Sequence, residues 1–153
     1  MGRKKLIVCN LSFDDGATIE EKVLSMFAPE NLINCFSEKN YEQYKKVINH
    51  ANIQMILNDP ELMETIYTFF DNNLNTTTTS EKTFMHRNTL NYRIDKVRRL
   101  SGLNLKLFEH AIVFKNLIII NNIINEYESA LGEKKSKKKA KTAKKEKQET
   151  VTA

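Results

Sequence analysis

The chain is poor in the residues that break regular structure. Its 153 residues include four glycines and two prolines, and Gly102 is the only glycine between positions 17 and 131. A sandwich or barrel needs many tight turns and would use more of both, so an all-α fold is expected. Tryptophan is absent, and the two cysteines, Cys9 and Cys35, exclude a disulfide framework or a four-cysteine zinc site. No spacing between them and His50, His86 or His110 matches a metal motif. Long apolar runs are also missing. Leu6-Ile7-Val8-Cys9 is too short for a signal peptide. The most apolar window, residues 111–124, is interrupted by Lys115, Asn116, Asn121 and Asn122, and falls short of the roughly 20 apolar residues of a membrane span. No Ser/His/Asp order or glycine-rich phosphate loop stands out. Asp14-Asp15 and Glu20-Glu21 are adjacent pairs, which on a regular element do not face one site. These absences predict a cytoplasmic protein that is not an enzyme, with no cofactor, no metal and no membrane partner.

What is present is charge, unevenly placed. The net charge is +5, but residues 133–153 hold nine Lys against three Glu, so this tail alone carries +6. The remaining residues hold 15 basic and 16 acidic side chains, a net of −1. Within that body, residues 1–81 have 7 basic and 12 acidic groups, while residues 82–106 have 7 basic and one acidic, a local +6. The protein is therefore an acidic body with one basic island, followed by a basic tail.

Helical patterning begins near Thr18, where Thr18-Ile19-Glu20-Glu21 reads as a capping box. Residues 1–17 read as an uncertain segment, with an Asp14-Asp15-Gly16 turn signal. Ser37 is a candidate cap for a helix with Tyr41, Tyr44, Val47 and Ile48 on one face. Residues 18–58 read as a helical linker or extension. Asp59 at N-cap and Pro60 at N1 then open a clear helix, with Leu62, Ile66, Phe69 and Phe70 as its apolar stripe. Thr78 with Glu81 reads as a second capping box, opening a short helix to about Phe84. A brief connection at Met85-His86 leads to a helix over about 87–100, and Gly102 falls at its C′ position. A last helix spans about 106–128. The basic tail at 131–153 is too poor in large apolar residues to fold alone and is expected to be disordered.

Residues 59–103 thus show helix, short helix, tight connection and longer helix, a helix-turn-helix pattern. On the helix over 87–100, Leu90, Ile94 and Val97, continued by Ser101, share one face and must pack inward. Asn88, Tyr92, Lys96 and Arg99 occupy the opposite face, flanked by Arg87, Asn91 and Arg98. Thr89 sits near the start. Amides, a phenol and cations are donors suited to phosphates and base edges, and a helix N-terminus adds free amides and a positive dipole end. A basic face can also be plain solvation. Here the geometry and the charge asymmetry agree on double-stranded DNA as the partner, and residues 59–130 are expected to form the DNA-binding domain.

The run His86-Arg87-Asn88-Thr89-Leu90-Asn91-Tyr92-Arg93-Ile94-Asp95-Lys96-Val97, then Ser101-Gly102-Leu103, resembles the C-terminal helix-turn-helix of PucR/CdaR-type transcription regulators. Upstream, Asp59-Pro60-Glu61-Leu62 and Asn73-Leu74-Asn75 resemble that family's first helix and its connection. Downstream, Leu107-Phe108-Glu109-His110-Ala111 resembles its trailing helix. The more distant Fis-type unit is similar at 86–90. The resemblance implies a bacterial, sequence-specific regulator of a kind often tied to sugar-diacid or purine catabolism. It implies that 87–100 is a recognition helix entering the major groove, with His86 as cap or phosphate contact. The candidate DNA-binding set is His86, Arg87, Asn88, Thr89, Asn91, Tyr92, Lys96 and Arg99, and Tyr92 and Arg93 also suit a packing role.

Two departures from the family pattern stand out. Ser80 and Thr83 replace an Ala and a core Leu, and a buried, poorly paired Thr83 hydroxyl would cost about 1–2 kcal/mol. About 58 residues precede the unit, so a regulator without the usual sensory domain is expected. The alternatives are a helical protein-interaction module, a homodimer through the trailing helix at 106–128, and a shortened regulator relic with weak or non-specific DNA binding. The lysine tail would add non-specific DNA affinity, attract an anionic surface, or simply solvate the chain.

Overall fold

A computed structural model describes residues 15–36 and 38–149, which form seven α-helices and one 3-10 helix with no strand. The expected all-α class is what the structure shows. Ser37 and the segment before Asp15 lie outside the described residues.

Helix α1 (Ile19–Met26) starts at the capping box anticipated for it. The Thr18 hydroxyl accepts from the Glu21 amide at 3.2 Å, and the Glu21 carboxylate accepts from the Thr18 amide at 2.9 Å. It buries Ile19 and Val23, and the next turn buries Phe27, whose ring meets Tyr44 edge-on at 5.3 Å. A 3-10 helix follows (Pro29–Phe36). In α2 (Glu38–Ile48), Tyr44, Val47 and Ile48 are buried, the face that periodicity marks.

Helix α3 (Ala51–Leu57) is a separate element within what reads as extension. Its N-cap is His50, whose Nδ1 accepts from the Asn52 amide at 3.2 Å. Histidine is not among the usual capping residues, so this start carries no strong sequence signal. Helix α4 (Pro60–Asp71) begins as its Asp-Pro signature dictates and buries Leu62, Ile66 and Phe69. It ends through Asn73 and Leu74, both in the left-handed region at φ 53° and 61°. The Asn73 amide donates to Phe70 and the Leu74 amide to Phe69, at 3.0 and 2.9 Å.

Helix α5 (Thr76–Thr83) opens three residues earlier than expected. Asn75 is the cap: its side chain accepts from the Thr78 amide at 2.9 Å, so Thr78 is the capped residue rather than the cap. The Asn side chain reaches the third helical amide directly, and the threonines become the first turn. Thr79 and Thr83 each turn a hydroxyl back onto a carbonyl four residues earlier, both at 2.7 Å. Thr83 is half-buried and its hydroxyl is paired, so the condition for a large loss there is not met. Helix α6 (Arg87–Ser101) buries Leu90, Ile94, Val97 and Ser101 and packs on α1, α3, α4 and α5.

Helix α7 (Phe108–Glu149) runs well past Glu128, through the stretch expected to be disordered. Lys, Glu, Ala and Gln are strong helix formers, which gives this stretch local helical preference without any core. Every residue from Asn125 to Lys147 is exposed.

The chain divides into two compact units, residues 1–118 and 119–153. The first holds a core of Phe27, Phe69, Leu90, Leu103, Leu105, Phe114 and Leu117, all fully buried. The Asn116 side-chain amide donates to the Phe27 carbonyl at 3.0 Å, tying the start of α7 to the end of α1. Within the second unit Ile120 and Ile124 are buried, while Ile119, Ile123, Tyr127 and Leu131 are exposed.

Candidate nucleic-acid interface

Helices α5 and α6 are joined by the three residues Phe84, Met85 and His86. The Met85 amide donates to the Ser80 carbonyl at 3.1 Å, and the Ser80 hydroxyl donates to the Met85 carbonyl. This double tie closes the end of α5 with Phe84 in the left-handed region, at φ 52° and ψ 27°. Glycine usually fills such a position. A residue with a Cβ costs about 1–2 kcal/mol there, and it persists only where the surroundings over-determine the turn. The Phe84 side chain gains no burial in return, being 96% exposed.

His86 then caps α6, its Nδ1 accepting from the Asn88 amide at 3.1 Å. With Nδ1 used this way, the neutral ring carries its proton on Nε2 and can donate outward. Arg87, Asn88 and Thr89 follow in the first turn, all exposed. These four candidates therefore stand together at one exposed helix end.

The other candidates are partly occupied. Lys96 Nζ lies 3.3 Å from Asp59 Oδ2 on α4, and its side chain is 36% exposed. Asn91 accepts from Lys106 Nζ at 3.0 Å. Tyr92 is exposed beneath the Arg99 guanidinium, whose carbon sits 5.4 Å from the ring centre. Arg99 also pairs with Asp95 at 3.5 Å, as does Arg98 at 3.2 Å.

Arg93, the residue suited to packing, bridges to α4. Its guanidinium donates to the Glu61 carboxylate at 2.7 Å and to the buried Thr65 hydroxyl at 3.0 Å. The partners Asp59 and Glu61 lie 37 and 32 residues before Lys96 and Arg93, and nothing local in the sequence announces such a pairing. The consequence for the basic island is specific. Four of its seven cations have acidic partners; Lys82, Arg87 and Lys106 have none among the described residues, and all three are exposed, Lys106 donating to the neutral Asn91 instead. Free positive charge is thereby concentrated around the turn and the start of α6.

Asp59 serves the helix and the ion pair together. One oxygen accepts from the Glu61 and Leu62 amides, both at 3.1 Å, and the other faces Lys96. The Leu62 amide, with help from Lys96, holds its carboxyl below the ordinary range. A lowered folded pKa gives stability that is full above the unfolded value of about 3.9 and is lost as pH falls through the folded one. Asp59→Ala is expected to cost about 1 kcal/mol at pH 7. Denaturant titrations of both proteins should show that gap shrinking below about pH 4. A gap that stays constant down to pH 2 would contradict this role.

Among the described residues no group of three or more His, Cys, Asp or Glu side chains is placed to hold a metal. No helix there is long and apolar enough to cross a membrane.

Residues 62–115, which take in most of α4, all of α5 and α6 and the start of α7, match the PucR C-terminal helix-turn-helix domain. The chain is 34% identical over 76 residues to the Bacillus subtilis (strain 168) protein "Uncharacterized protein YxkF", covering 50% of this chain and 26% of that one. It is 33% identical over 63 residues to the Escherichia coli (strain K12) carbohydrate diacid regulator, covering 41% of this chain and 16% of that protein. The chain thus spans about a quarter of one relative and a sixth of the other. No solved structure matches it. The matched family is a transcription-regulator DNA-binding domain rather than an enzyme family. The tied turn, the capped α6 and the match fall on the same residues: residues 62–115 are similar to the PucR C-terminal helix-turn-helix domain.

Proposed function

We propose that the chain binds double-stranded DNA in a sequence-specific way as a cytoplasmic transcription regulator, with α6 as its recognition helix. The observation that carries this reading is the exposed His86-Arg87-Asn88-Thr89 turn at the start of α6, in which Arg87, like Lys82 just before the turn, has no acidic partner among the described residues. Arg87, Asn88 and Thr89 reach base edges, Arg87 having the bidentate geometry suited to guanine. His86 donates to a phosphate through Nε2. Asn91, Tyr92, Lys96 and Arg99 follow along the groove-facing side and act as phosphate or sugar contacts. In this reading residues 59–130 are the DNA-binding unit, residues 18–58 support it, and the lysine-rich end adds non-specific attraction.

Selection of binding sites from random duplexes, followed by fluorescence anisotropy, tests the proposal. Arg87→Ala is expected to weaken binding to the selected site by about 1–3 kcal/mol and to relax preference at one base position. Equal affinity of mutant and wild type would remove α6 from the reading.

A homodimer is the second reading. Ile119, Ile123, Tyr127 and Leu131 recur every four residues on α7 and are all exposed, an apolar stripe of the kind that seats a second helix. A dimer on DNA selects paired half-sites about 10–10.5 base pairs apart or a multiple of that. Recovery of single half-sites from the same selection would reject it.

A further inference from the structure

We infer that the ring of Phe84 packs against the apolar surface of duplex DNA, meaning deoxyribose faces or thymine methyl groups, as the start of α6 approaches the groove. The inference rests on the DNA-binding reading above and extends it to a residue outside the basic and polar set. Phe84 is the most exposed large apolar side chain among the described residues. It occupies a left-handed backbone position where glycine would be unstrained, and two hydrogen bonds between Ser80 and Met85 hold it there. Among the described residues the ring is packed against almost nothing. What surrounds it in sequence is the free positive charge of the island: Lys82 two residues before and Arg87 three residues after, both exposed and without acidic partners among the described residues. An apolar ring framed by free cations matches a surface that alternates phosphate charge with apolar sugar and methyl groups, as a duplex does.

The test compares wild type, Phe84→Gly and Phe84→Asn on pooled random-sequence DNA duplexes and on the same pool with uracil in place of thymine. Glycine relieves the backbone, so Phe84→Gly is expected to melt no lower than wild type while binding duplex about tenfold more weakly. Phe84→Asn, which tolerates the left-handed region, should lose binding to the same degree. If uracil duplexes weaken wild type to the level of the variants, the contact is to thymine methyl groups; if they do not, it is to deoxyribose. Unchanged binding by both variants, with Arg87→Ala still impaired, overturns the role of Phe84 and leaves the DNA reading standing. Wild type that binds no duplex overturns both. Loss of self-association in sedimentation with DNA binding intact assigns the ring to a second copy instead and overturns the inference.

Discussion

Leu90→Ala is expected to cost about 2–5 kcal/mol of folding stability, the range for deleting a fully buried aliphatic side chain that leaves a cavity. Leu90 is fully buried one turn into α6, on the face that packs against α3, α4 and α5. Leu90, Ile94, Val97 and Ser101 form a narrow buried seam, while the residues between them are half-buried or exposed. Removing the side chain at the centre of that seam loosens the helix where it carries the candidate His86–Thr89 turn. Chemical denaturation should show a lower midpoint with an unchanged slope. A loss under about 1 kcal/mol would mean that the seam collapses to fill the gap, or that Leu90 is less central than its burial indicates.

Gly102→Val is expected to cost about 2–4 kcal/mol, combining left-handed strain with overpacking. Gly102 ends α6 at φ +80°, its amide donating to the Arg98 carbonyl at 2.8 Å. A Cβ at this position would meet the Cβ, Cγ and Cδ of Glu20 on α1 at 2.6 to 2.9 Å. The Glu20 carboxyl end can swing away, but its Cβ is fixed to the α1 backbone. Gly102→Asn separates the two effects. Asparagine tolerates the left-handed region, so its remaining loss measures the contact with α1. Thermal unfolding of the two variants gives the comparison, and an Asn variant as stable as wild type would show that α1 yields freely.

Much of this fold is legible from local sequence. Thr18 with Glu21, Asp59 with Pro60, and Gly102 each settle a helix end through contacts within a few residues, and the structure places all three as expected. The period of Leu90, Ile94, Val97 and Ser101 likewise assigns the buried face of α6. Elements that depend on atypical chemistry are not legible. His50 caps α3 and Asn75 caps α5, in the first case with a residue that seldom does so and in the second with one masked by four following threonines. Phe84 offers no sign of its left-handed backbone, because only the ties from Ser80 and Met85 impose it. The candidate interface divides in the same way. Its composition and helix face can be read, but the withdrawal of Lys96 and Arg93 into pairs with Asp59 and Glu61 depends on tertiary proximity across more than 30 residues. Counting charges therefore overstates the cation supply along α6 and understates its concentration at the helix start.

The close approach of Gly102 to Glu20 has a mechanical meaning. Helix α6 is a rod of 15 residues, about 22 Å long. Arg87 stands at one end and Gly102 at the other, so the candidate tip and the seat on α1 are as far apart as the rod allows. Along the rod α3, α4 and α5 hold the inner face, and α1 holds the far end. Helix α1 lies outside the matched residues 62–115, yet it grips the end of the helix that this domain presents. The aim of the tip is therefore set partly by the segment that precedes the domain.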